Sequence, residues 1–179
     1  MHDDIAGEVA AAGPSFGPAG RALMAAARQL AIAGGLVFVA LVVMQIVSIV
    51  GRKLFSWPVP GDVEVLQMCA AFASSTFFAW CHLANGDAKV DFFTHNLRPR
   101  VVAAMDAAGS LLVGLFGALL AWRTAAGALS LRDVGETSAV LGWPVWTAQA
   151  LMVPGFALLA AAGFYLFVQR LRQSVSGRR

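Results

Sequence analysis

The chain has 179 residues, of which 59% are hydrophobic and only 13% are charged, about half the charge a soluble domain of that length carries. Its formal net charge of +3 comes from cations that flank apolar runs and form no continuous stripe, which argues against a nucleic-acid surface. No Gly-rich phosphate loop and no Ser/His/Asp or Cys/His arrangement is present, so neither an ATPase nor an enzyme is indicated.

Residues 1–20, "MHDDIAGEVAAAGPSFGPAG", are rich in Ala, Gly and Pro and lack the basic start and apolar core of a signal peptide. They are expected to form a disordered tail. The next stretch carries no charge between Arg28 and Arg52, and further uncharged runs cover Val65–Gly86, Ala107–Trp122 and Thr137–Gln169. A helix needs about 20 mostly apolar residues to cross a bilayer. The sequence therefore predicts an all-α integral membrane protein with four transmembrane helices, near 29–51, 63–84, 103–126 and 143–169, followed by a basic tail over 173–179. With the N-terminus inside, nine cations (Arg21, Arg28, Lys89, Arg98, Arg100, Arg170, Arg172, Arg178, Arg179) fall on the cytoplasmic side and three (Arg52, Lys53, Arg132) outside. The positive-inside rule then places both termini in the cytoplasm.

In the first span Gln45, Ser48 and Arg52 are separated by three, four and seven residues, so they share one helix face. Such a stripe should face protein or water rather than acyl chains. Gln45 is open to two uses, a hydrogen bond within its own bundle or a contact with another subunit. The connection "GRKLFSWPVPGDVEV" holds Arg52, Lys53 and Trp57, then Asp62 and Glu64 at the start of the second span. Those acids would oppose the positive end of the helix dipole. Three roles are open for the cations. Arg52 with Glu64 could clamp the first two helices together, which is preferred; the cations could hold a lipid phosphate; or the loop could touch a partner outside the membrane.

Cys69 and Cys81 lie twelve residues apart in the second span, about 3.3 turns, and so on different faces. They read as small buried thiols, with no metal site. The segment after that span, "NGDAKVDFFTHNLRPR", alternates acids, apolar residues and bases, and should be a short amphipathic stretch at the interface. In the third span Gly109, Gly114 and Gly117 would allow close helix approach. Arg123 is expected near the outer end of that span, with its guanidinium snorkelling to the interface. Trp57, Trp122, Trp143 and Trp146 are expected at outer ends and Trp80 at an inner end, as membrane anchors. Pro144 suits the first turn of the fourth helix, and Pro154 should kink it.

Three sets of these residues resemble one family, the small membrane subunit of TRAP transporters, the DctQ component. The first set is Gln45, Arg52, Phe55, Trp57, Pro60 and Glu64. The second is the Val-Asp-Phe unit Val90, Asp91 and Phe92. The third is Leu141, Pro144 and Trp146, with Pro154 and Gly155 inside the fourth helix. The family often has a histidine four residues before the loop aspartate, where this chain has Asp87. The resemblance implies a small scaffold subunit in the bacterial inner membrane, without cofactor or enzymatic activity. Its implied partners are a large DctM-like membrane subunit, a periplasmic substrate-binding protein and membrane lipids. It also implies secondary, sodium-coupled import of organic acids. Gln45, Arg52, Lys53, Trp57, Asp62, Glu64, Asp91, Pro144 and Trp146 are then candidates for subunit or lipid contacts. The alternative is a membrane anchor for an oxidoreductase, with His82 and His95 as conceivable haem ligands.

Overall fold

The computed structural model describes residues 17–57, 59–84, 86 and 99–176. Within them lie four helices: α1 (Pro18–Phe55), α2 (Asp62–Leu83), α3 (Pro99–Val134) and α4 (Val145–Ser176). Each is long and apolar enough to cross a membrane. The expected interfacial segment, with Asp87, Asp91 and His95, lies outside the described residues, as do residues 1–16 and 177–179.

Three of the helices outrun the expected spans. Residues Pro18–Gly20 belong to α1 rather than to a tail; Pro18 occupies the first turn, and the Ala-rich stretch behind it has high helix propensity. At the other end of α1, Ser56 takes the left-handed conformation (φ 52°) and the Trp57 N–H closes onto the Gly51 carbonyl at 3.1 Å. Arg52 and Lys53 sit in this last turn, where cations oppose the dipole. Helix α3 continues to Val134 because nothing in "TAAGALSLRDV" breaks a helix before Gly135 (φ 69°). Helix α4 runs unbroken through Pro154.

The helices pack in the order α1–α2–α4–α3, with α1 also touching α4. Among the described residues the backbone of α3 approaches α4 alone and borders α2 only across a hollow lined by Phe78, Cys81, Val113 and Phe116, so the bundle is an open layer rather than a closed four-helix barrel. Small residues set each contact. A Cβ on Gly34 would fall 2.9 Å from the Ala73 carbonyl oxygen, and one on Gly155 would fall 2.6 Å from that of Ser75. Gly114 and Gly117 of α3 meet Gly163 and Ala160 of α4 backbone to backbone, whereas Gly109 faces open space. This close approach is how helices gain dispersion contacts where lipid supplies no hydrophobic drive. Stacked rings add to it, with Phe38–Phe77 at 5.9 Å between α1 and α2 and Phe78–Phe156 at 6.3 Å between α2 and α4.

The buried core, Ala27, Ala79, Leu83, Leu159, Ala162 and Leu166, lies where α1, α2 and α4 meet beside the C-terminal end of α2. Trp80 packs half-buried against it. The cysteines depart from expectation: Cys69 is half-buried, and Cys81 is exposed, lining a hollow between α2 and α3 with Phe78, Val113 and Phe116.

The packing register also moves Arg123. Gly117 lies opposite Ala160 and Gly127 opposite Gln149, so Arg123 is level with Val153 and Pro154. The next residue, Gly155, meets Ser75, just past the middle of α2. Arg123 and its neighbour Trp122 are therefore near mid-bundle, not at an outer end. The span estimate fails because the arginine itself interrupts the apolar run and makes it look finished.

Candidate functional site

Polar chemistry concentrates at the end of the bundle where the α1–α2 and α3–α4 connections meet. Gly61 (φ 73°) supplies the left-handed turn that starts α2, and a Cβ there would strike the side chain of Leu141. Asp62 follows at once, only 7% exposed. The α1 stripe converges on it. Ser48 Oγ donates to Asp62 Oδ2, Arg52 Nη2 donates to the same oxygen at 2.8 Å, and Gln45 Nε2 donates to the Asp62 backbone carbonyl at 3.3 Å. The second carboxylate oxygen, Oδ1, accepts the Val63 N–H at 2.9 Å. Both carboxylate oxygens are engaged, Ser48 is fully buried beneath them, and the Arg52 side chain is 55% exposed.

The clamp between the first two helices therefore exists, but its acid is Asp62 and not Glu64. The reason is angular. Two residues along a helix are about 200° apart, so when Asp62 faces α1, Glu64 faces the opposite side. There it meets the 135–144 connection, where Oε1 accepts the Val140 N–H at 2.9 Å and Oε2 the Leu141 N–H at 3.1 Å.

That connection is itself closed on internal hydrogen bonds. Thr137 bridges Pro144, Ser138 N donates to the Trp143 carbonyl, and Val145 N donates to that of Glu136. Pro144 immediately precedes α4, and its carbonyl accepts both the N–H and the hydroxyl of Thr147. The Arg132 guanidinium lies 5.7 Å from the ring of Trp146, a cation–π contact tying α3 to α4. Lys53 is exposed, and Trp57 projects with 78% exposure over a hollow of 220 Å³ shared with Val47, Gly51, Val59 and Pro60. Asp91 lies outside the described residues.

Sequence reasoning finds the Gln45–Ser48–Arg52 stripe but misses its acceptor. It also misses the Glu64 latch onto backbone N–H groups, for which sequence carries no signal beyond the turn glycines Gly61, Gly135 and Gly142. We expect Glu64→Gln to speed amide hydrogen exchange at Val140 and Leu141 severalfold while leaving α4 amides unchanged, because an amide offers one weaker acceptor where the carboxylate offered two. Unchanged exchange at those two amides would mean the loop holds its shape without the latch.

Residues 38–173 match the family model described as tripartite ATP-independent periplasmic transporters, DctQ component. This chain belongs to the DctQ family. The matched region begins in α1 before Gln45 and ends in α4, so every residue of the loop-end hub lies inside it. No curated protein and no solved structure matches the chain. DctQ proteins are membrane components of a transporter rather than enzymes. Among the described residues, no three His, Cys, Asp or Glu side chains are grouped to hold a metal.

Proposed function

We propose that this DctQ protein is the small scaffold subunit of a secondary importer of organic acids, standing beside a large DctM-like membrane subunit that carries the substrate and the coupling ion. A periplasmic substrate-binding protein delivers the cargo, and a sodium gradient rather than ATP drives uptake. The observation that carries this reading is the open layer of helices. Among the described residues between Glu64 and His82, the fully buried polar side chains are Ser75 and Thr76, and both hydroxyls return to carbonyls of their own helix; Gln149 is half-buried against Gly127. Among the described residues no run of fully buried polar side chains crosses the bundle, an arrangement suited to support rather than conduct, and the edge helices α1 and α3 present apolar faces that a larger partner can cover.

The cation distribution supports an inner-membrane orientation with both termini in the cytoplasm and the Asp62 hub toward the periplasm. In that orientation exposed Lys53 and Trp57 meet headgroups and the binding protein, while Arg52 is committed to Asp62.

The test is a pull-down from detergent-solubilised native membranes with a tag at the C-terminus. A large polytopic partner recovered near one to one is the expected result. Recovery of this chain alone, or with a redox enzyme, would overturn the reading.

A further inference from the structure

Arg123 is an exposed cation on α3, the edge helix whose backbone approaches only α4 among the described helices. Helix α2 fixes its depth. At 22 residues α2 is about 33 Å long, little more than the thickness of a bilayer core, so its two ends bracket the membrane. Arg123 is level with residues just short of Ser75, and about 15 Å separates it from either end of α2. A three-carbon stem reaches little more than one helical turn of about 5.4 Å, which falls well short of either headgroup layer.

The described residues supply no acid at that depth. Among the described residues Asp62, Glu64, Asp133 and Glu136 lie at the loop end of the bundle, and Asp106 is more than four turns away along α3. At the loop end Asp62 is already paired with Arg52, at 2.8 Å. Around Arg123 the same face of α3 is apolar. At helical spacing it carries Leu112 (67% exposed), Leu119 (49%) and Phe116 (59%), the last at the rim of a hollow shared with Phe78 and Cys81 of α2. An arginine centred on an apolar, mid-membrane face needs an acceptor, and lipid tails provide none.

We propose that this face of α3 is the surface buried against the large membrane subunit, and that Arg123 pairs there with a carboxylate on a transmembrane helix of that subunit. The proposal rests on the scaffold reading above and adds to it the face and the anchoring charge. A carboxylate is the acceptor that matches a guanidinium with two parallel hydrogen bonds. Leu119, Phe116 and Leu112, on the side of Arg123 toward the N-terminus of α3, would exclude water and lipid from the pair.

The experiment is co-expression of the full chain with the large subunit, followed by purification through a tag on this chain. Arg123→Leu should lower the ratio of large to small subunit by roughly tenfold, the scale of one polar contact between membrane helices. Arg123→Lys, which keeps the charge but loses the fork, should fall between. The small subunit purified alone should melt at an unchanged temperature, since Arg123 supports nothing within its own bundle. A photo-crosslinking phenylalanine analogue at Phe116 should join the large subunit in otherwise native complexes. A ratio for Arg123→Leu within twofold of native, or adducts at Phe116 only to lipid or to a second copy of this chain, would overturn the proposal. If the native chain recovers no large subunit, the scaffold reading itself fails and this inference falls with it. An intact native complex with an indifferent Arg123→Leu variant sinks the inference alone.

Discussion

Asp62→Ala is expected to cause a severalfold loss of monodisperse protein extracted from membranes, together with a marked fall in the thermal unfolding midpoint in detergent. One carboxylate serves Ser48, Arg52 and the Val63 N–H. Removing it strips partners from a hydroxyl that has no access to solvent and from a guanidinium at a membrane edge. Leaving a buried donor unmet costs the full desolvation of that group, which exceeds the net gain that the hydrogen bond gave. The comparison with Arg52→Ala isolates the cause. Arg52 is half-exposed, and after its removal Asp62 still accepts from Ser48 and Val63, so the loss should be visibly smaller. Asp62→Asn should fall between, since the amide keeps one acceptor. Equal melting of Asp62→Ala and the native chain would show that the hub does not hold α1 to α2. A larger loss for Arg52→Ala would show that the cation, not the buried acid, is the centre.

The same hub shows what can be seen in the sequence. Uncharged runs expose membrane helices because lipid tolerates so few ionised groups, and the stripe of Gln45, Ser48 and Arg52 follows from the helical period alone. Its acceptor is constrained by the same period. Asp62 and Glu64 are about 200° apart, so only one of them can face α1, and the choice between them rests on the turn at Gly61. The Glu64 latch is not legible, because its partners are backbone N–H groups that every loop possesses. Helix ends are hidden for a different reason. Hydropathy reports where lipid is, while a helix continues wherever propensity allows, and α1, α3 and α4 all continue. Arg123 is the position where this matters most. Its depth depends on the α3–α4 register, which is written in the contacts of Gly117 and Gly127 with the facing helix and not in any local pattern.

That register yields the second large effect, a pair of identical substitutions with opposite outcomes. Gly163→Ala should destabilise the isolated subunit strongly, while Gly109→Ala should leave it unchanged or more stable. At Gly163 the new methyl would fall on the backbone of Gly114 and 2.9 Å from the Ser110 carbonyl oxygen. Backbone cannot rotate away as a side chain can, so α3 and α4 must separate along their whole contact. Ordinary overpacking costs about 1–3 kcal/mol, and a clash between two main chains belongs at or above the top of that range. The backbone of α3 approaches no other helix among the described residues, so its packing is lost with no second close backbone contact to retain it. Gly109 sits inside the same helix, and a methyl added there would have nothing within 4 Å. There the only change is the lower backbone entropy of alanine, which favours a helix by up to about 1 kcal/mol. Thermal unfolding of the two variants in one detergent decides the matter. Shifts of the same sign and similar size would mean that α3 is not seated on α4 through Gly163, and the mid-membrane depth assigned to Arg123 would lose its basis.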